Sequence, residues 1–216
     1  METYEDKIMC AKCGGSCCKF MGCIYSLRQF FDSRKELLTT KKINEILKQG
    51  NVSIAGQPIN NFCGDNWTFI LYLKARDDEA DVVDILGKGG PCVNLSDSGC
   101  KLEKSKRPLY GKTVKPTKVG GPCEQTALGE SFVYDCLLFH DKLAEILEEY
   151  TGMEAEVYLL DRLTEDSKYL GKKIKNKEEL TDFEKEKYNW YLNIVNNKPY
   201  VDSKFALDWI NSCMGF

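Results

Sequence analysis

The sequence predicts an α+β chain: a small cysteine-rich metal-binding module with a short β-hairpin or sheet over residues 1–136, then a helical C-terminal region over residues 137–216 that packs on it as one unit. Three observations carry that expectation. Cys10, Cys13, Cys17 and Cys18 fall within nine residues, in the stretch C-A-K-C-G-G-S-C-C. Trp67, Phe69, Leu71 and Leu73 alternate with the period of a strand. Beyond Phe132, apolar residues recur at helical spacing and cysteines become sparse.

Residues 1–9 read as a polar lead-in, and residues 10–18 as a loop. Cys10, Cys13 and Cys17 would share one helix face, but the Gly14-Gly15 pair makes a helix through them costly. Residues 33–49 read as a helix with a capping box at Ser33 and Glu36; Thr39 or Thr40 would cap a later start. Its stripe is Leu37, Ile43, Ile46 and Leu47, and Gly50 stops it. Residues 51–66 are turn-rich, with Gly56, Pro58 and Asn60. Residues 67–76 form a strand, Asp77-Asp78-Glu79 a solvated hairpin end, and residues 81–86 the return strand. In the last third, Phe139, Leu143, Ile146 and Tyr150 mark a helix ending before Gly152. Residues 157–163 are a second apolar segment, and residues 168–177 a polar linker. Thr181 and Glu184 cap a segment carrying Tyr188, Tyr191, Leu192 and Val195, and a last helix bears Phe205, Trp209 and Ile210.

The composition excludes several classes. A net charge of −3 over 216 residues gives no bulk attraction to nucleic acid. The basic run of residues 101–118 has one interleaved aromatic, Tyr110, and reads as a solvated loop, or as cations offsetting nearby thiolates. No apolar run is long enough to span a bilayer. The first residues are acidic, without the apolar core of a signal peptide, so a cytoplasmic location is expected. No phosphate loop is present, because Lys106 stands where the first glycine before Gly111 would be. No Ser–His–Asp set or dinucleotide fingerprint is present, and the single histidine, His140, reads as a surface or packing residue.

Eleven cysteines without an export signal point to ligands or redox groups rather than to a disulfide framework. A packed core has no use for so many free thiols, since valine or alanine fills the volume without the risk of oxidation. The Cys10-x-x-Cys13 pair can aim two sulfurs at one centre. Cys92 and Cys100 bracket a turn-rich loop able to fold back on the first block. Gly120-Gly121-Pro122-Cys123 repeats the Gly89-Gly90-Pro91-Cys92 turn. The expected metal ligands are therefore Cys10, Cys13, Cys17, Cys18, Cys92, Cys100 and Cys123, with Cys136 in reserve. Cys23, Cys63 and Cys213 stand apart and read as structural. Soft thiolates select Zn²⁺ or an iron–sulfur cluster over Mg²⁺ or Ca²⁺. Seven thiols exceed what one zinc needs, which favours iron–sulfur.

The opening block, together with Cys92-Val93-Asn94-Leu95, Gly99-Cys100 and Arg107-Pro108, resembles the CxxCxxCC (YkgJ-like) cysteine-cluster family. The resemblance covers residues 10–123 and implies a zinc- or iron-chelating protein, in some members one that holds an iron–sulfur (4Fe-4S) cluster. It differs in having three residues between Cys13 and Cys17, and Gly111 where members commonly place a cysteine, a role left here to Cys123. Two roles follow. One is a metal or electron-transfer accessory that presents its centre to a protein partner. The other is an enzyme, as in the flagellin lysine methylase that carries a related motif, although no S-adenosylmethionine site is legible.

Overall fold

The computed structural model describes residues 7–15, 18, 23–30, 39–60, 67–78, 80–85, 91–97, 99–115, 119, 124–125, 135–180, 184 and 188. They form an α+β fold in which a small antiparallel sheet is packed by helices. Helix α1 is Lys7–Cys13 and strand β1 is Ile24–Tyr25, followed by a 3₁₀ turn at Leu27–Phe30. Helix α2 is Thr40–Lys48, and strands β2 and β3 are Val52–Asn60 and Trp67–Ala75. A two-residue hairpin joins β4, Leu95–Ser96, to β5, Gly99–Cys100. Helix α3 is Leu109–Thr113, and β6, Val114–Lys115, pairs with β7, Glu124–Gln125. Two longer helices follow, α4 at His140–Thr151 and α5 at Ala155–Lys175.

The main sheet has the order β1-β3-β2, with Phe69 opposite Pro58 and Leu73 opposite both Ile54 and Tyr25. The alternation expected of residues 67–76 is present, since Phe69, Leu71, Leu73 and Ala75 all enter the core. The intervening residues Ile70, Tyr72 and Lys74 are buried too, so the sheet is covered on both faces. One apolar cluster joins this sheet to α2 through Ile43, Ile46 and Leu47, to α4 through Leu143, Ile146 and Leu147, and to α5 through Leu159, Leu163 and Leu170. Each buried leucine or isoleucine contributes roughly 1.5–3 kcal/mol of transfer free energy.

Several expectations are corrected. Residues 7–13 are helical rather than lead-in and loop, and the glycines follow the helix instead of interrupting it: Gly14 and Gly15 have φ of 61° and 70°, the left-handed geometry that ends a helix. The helix at residues 33–49 does not run through Thr39, which is extended and caps α2 by accepting the Lys42 amide at 3.2 Å; the Ser33–Glu36 box lies outside the described residues. The turn-rich residues 51–66 include the whole of β2. Its glycine serves a close approach, because a Cβ at Gly56 would stand 2.7 Å from Leu159 Cδ2 and 2.9 Å from Leu71 Cδ2. Its proline is tolerated because β2 lies at an end of the strand order. Of the return strand expected over residues 81–86, the described residues 81–85 do not lie beside β3, whose two flanks are taken by β1 and β2; residues 82–84 instead bond β2 in parallel, Ile54 N to Val82 O at 2.7 Å and Asp84 N to Ile54 O at 2.8 Å.

Downstream, α4 ends as expected on Gly152, whose φ is 70° and whose amide bonds the Glu148 carbonyl. Tyr150 is exposed, so Leu147 rather than Tyr150 completes the buried stripe. The polar linker proposed at residues 168–177 is mostly helix: α5 continues to Lys175, with Ser167 and Leu170 buried on the face of Leu159 and Leu163. Charge on three sides hid a stripe that is regular on the fourth. Glu184 accepts from Lys173 at 3.0 Å, and Tyr188 packs beside Gly171, where a Cβ would stand 3.0 Å from the Tyr188 hydroxyl. Thr181, Tyr191, Leu192, Val195, Phe205, Trp209 and Ile210 lie outside the described residues. No helix among the described residues is long and apolar enough to cross a membrane.

Candidate metal centre

The backbone draws three separated segments together at one end of the sheet. The Ala75 amide bonds the Cys23 carbonyl at 2.8 Å, which fixes Cys23 against the end of β3. One residue on, the Arg76 carbonyl accepts the Val93 amide at 3.0 Å, and the Asp78 amide bonds the Pro91 carbonyl at 2.8 Å. Cys92 therefore stands opposite Asp77 as an antiparallel bridge. Its own amide bonds the Cys18 carbonyl at 2.8 Å. Cys100 is carried in by the β4–β5 hairpin, opposite Leu95, whose amide bonds back to the Cys92 carbonyl. Gly15 faces Leu95 so closely that a Cβ there would stand 2.5 Å from Leu95 Cδ1. The loop of Cys92 and Cys100 thus folds back on the Cys10–Cys18 block, and its contact with α1's exit requires glycine.

Polar side chains lock these segments. Gln29 spans two of them: its Oε1 accepts the Ser26 and Leu109 amides at 3.0 and 2.8 Å, and its Nε2 donates to the Arg107 carbonyl at 2.9 Å. The Arg107-Pro108 turn is held against the 3₁₀ turn in this way. Arg28 forms a two-pronged pair with Asp135, Nε to Oδ1 at 2.9 Å and to Oδ2 at 3.0 Å. Beneath Cys92, Lys74 is completely buried and pairs with Asp77 at 2.5 Å and with Asp84. Asp77, expected in a solvated turn, is buried because its carboxylate answers that lysine. Two buried carboxylates on one ammonium leave a formal charge of −1 behind the cysteine segment.

Burial pushes the Cys92 thiol up, and the nearby Cys100 and Asp77 add to the rise; a hydrogen bond from the Asn94 backbone opposes it. The Tyr25 hydroxyl is pushed strongly up, first by burial and then by Cys92, Cys100 and Cys23, so these three thiols share its surroundings. A hydrogen bond from the buried Asn94 side chain opposes the rise of the Cys92 thiol as well. A thiol held protonated is a poor nucleophile, and a bound cation is the group that converts it to thiolate. Cys136 is buried at the foot of α4 with its thiol pushed far up by desolvation and then by Asp135, the setting of a small core residue.

Of the expected ligands, Cys18, Cys92 and Cys100 lie in the convergent region. Cys10 and Cys13 lie on one helix, three residues apart and so on one face, and their side chains are outside the described set. Cys17 and Cys123 lie outside the described residues, as do Cys63 and Cys213. No group of three or more histidine, cysteine, aspartate or glutamate side chains among the described residues is gathered closely enough to hold a metal ion. Cys23, read from the sequence as structural, bonds the Ala75 amide through its carbonyl and shares the surroundings of Tyr25 with Cys92 and Cys100. His140 is a buried packing residue that meets Glu156 Oε1 at 3.4 Å. Within the basic run, Lys101 bonds the Val93 carbonyl, Arg107 the Leu102 carbonyl and Lys112 the Ser105 carbonyl. No family model, curated protein or solved structure matches the chain.

Proposed function

We propose that the chain is a metal-binding protein whose thiolates hold an iron–sulfur cluster, with zinc as the alternative guest, and that it serves as a metal or electron-transfer accessory to a protein partner. The observation that supports this reading most is the meeting of two cysteine blocks distant in sequence, through the bond from the Cys92 amide to the Cys18 carbonyl. Cys10, Cys13, Cys17, Cys18, Cys92, Cys100 and Cys123 remain the proposed donor set. Thiolate is the donor iron–sulfur clusters take, and ligands of a cluster bind different metal atoms, so they need not crowd one point as the four ligands of a zinc do. The Asn94 side chain beside Cys92 suits the same reading, since its hydrogen bond favours the thiolate form of that cysteine. The resemblance to the CxxCxxCC family points the same way.

Anaerobic purification with elemental analysis and a visible spectrum tests the proposal. Iron with acid-labile sulfide in a brown sample is the expected result. Stoichiometric zinc in a colourless sample would change the guest and keep the site. A chain that binds neither, even after reconstitution, would overturn the reading. Metal removal is also expected to lower the melting temperature, because loop-borne thiolates lose the ion that ties them together.

A further inference from the structure

We infer, independently of the metal-binding reading, that the outer face of α5 seats a second copy of this chain, with the two helices antiparallel across a two-fold axis. Glu154, Tyr158, Asp161, Glu165, Lys168, Lys172 and Lys175 recur at alternating steps of four and three residues, so they line one side of the helix. Leu159, Leu163, Ser167 and Leu170 bury the opposite side. Every member of the outer line is exposed except Tyr158, which is partly buried. The line is segregated by charge: Glu154, Asp161 and Glu165 stand in its first half, Lys168, Lys172 and Lys175 in its second. Among the described residues, Asp161, Lys168, Lys172 and Lys175 take part in no ion pair, whereas Arg162 answers Glu165 at 2.7 Å and Lys173 answers Glu184 at 3.0 Å. Two rings flank the same face and are steadied by cations, Tyr158 by Arg162 at 5.4 Å and the exposed Tyr169 by Lys173 at 5.8 Å. A parallel copy would set acid against acid. An antiparallel copy whose axis passes near Glu165 sets Glu154 opposite Lys175, Asp161 opposite Lys168 and Tyr158 opposite Lys172, each contact made twice by symmetry. It also opposes the two helix dipoles. Glu165 meets its own counterpart at the axis, and its charge is already answered by Arg162. One chain thus carries both halves of the complement, which favours a second copy over a wholly acidic or wholly basic partner.

Sedimentation equilibrium of the full chain under reducing, anaerobic conditions tests this, with wild type, Asp161→Lys, Lys168→Glu and an equimolar mixture of the two variants. Both positions are exposed, so neither reversal disturbs the core, and far-UV circular dichroism checks that each chain is folded. Wild type is expected to dimerise at about 10 mM salt, where charges act over roughly 30 Å, and to bind at least about tenfold more weakly at about 1 M, where that range falls to roughly 3 Å. Each variant alone sets like charges together at both symmetry-related contacts and is expected to weaken the dimer at least about tenfold. In the mixture every reversed position meets its opposite on the other chain, so heterodimers should recover wild-type strength. A wild type that stays monomeric up to about 1 mM at low salt would overturn the inference. So would a dimer that neither reversal weakens, which would place the contact elsewhere, and a monomer that pellets with phosphatidylserine vesicles, which would assign the lysines to an anionic membrane surface. If either variant fails to fold, Asp161→Lys/Lys168→Glu decides, because it restores both contacts within a homodimer: wild-type association supports the face, and a monomer rejects it.

Discussion

The two ends of the sheet are held by different physics. At the β2 end, Ile54, Phe69 and Leu71 join Leu143, Ile146 and Leu147 of α4 and Leu159 and Leu163 of α5 in one apolar cluster. At the cysteine end, Tyr25, Leu27 and Cys92 still join that cluster, but the short elements of two residues are placed by single backbone bonds, by the Gln29 clamp, by Arg28–Asp135 and by the buried Lys74 group. Apolar burial is non-directional and tolerates some repacking, whereas polar ties demand geometry. The difference teaches that the helical side rests on burial that some repacking can preserve, while the cysteine side needs its directional partners to set the positions of the thiols.

Substitutions can break that contrast or sharpen it. The largest effect is expected from Lys74→Met, which leaves the Asp77 and Asp84 carboxylates buried without their cation and should cost about 3–5 kcal/mol in urea unfolding. Adding Asp77→Asn and Asp84→Asn should recover much of it; no recovery would mean that the lysine stem, not its charge, was essential. Leu159→Ala should cost about 2–5 kcal/mol, with metal per folded chain unchanged, because it empties core at the far end. A fall in metal content of the folded fraction would break the contrast outright. Gly56→Ala should cost about 1–3 kcal/mol, since its methyl would press on Leu159 and Leu71. Thr39→Ala should cost about 1 kcal/mol through the lost cap of α2, read from the thermal midpoint.

The smallest effect concerns pH. A hydrogen bond with His140, chiefly, holds the Glu156 carboxyl below its ordinary value, with burial working against it. A depressed carboxyl contributes stability that is present above its unfolded value and lost as the pH falls through its folded value. Melts of wild type and Glu156→Gln should therefore differ at pH 7 and converge as acid is added below pH 4.5, by less than about 1 kcal/mol because the side chain is partly exposed. A difference that grows on acidification would contradict the assignment.

How much was legible follows from which signals were periodic. β3 and α4 were readable because apolar residues repeat at two and at three-to-four, with Gly152 as a stop. β2 was hidden because Gly56 and Pro58 read as turn residues, and only the neighbouring Leu159 explains why glycine stands in a strand. α5 was cut short because a lysine-rich surface concealed the line from Leu159 to Leu170. In the candidate site, the return of Cys92 toward Cys18 was foreseeable from glycine and proline turns. The place of Cys23 was not, because it depends on register between β1 and β3, which no local pattern encodes. Asp77 was misread for a similar reason: its partner Lys74 reaches it inside the fold, and charge alone suggested solvent.

The bond between residues 18 and 92 belongs to the main chain, so no replacement of either side chain deletes it, proline at position 92 excepted. A chain stripped of its sulfurs would keep that junction as an empty frame. Imidazoles or carboxylates written into the same positions would inherit the neighbourhood, and the hardness of the donor atoms could be re-set without re-routing the polypeptide.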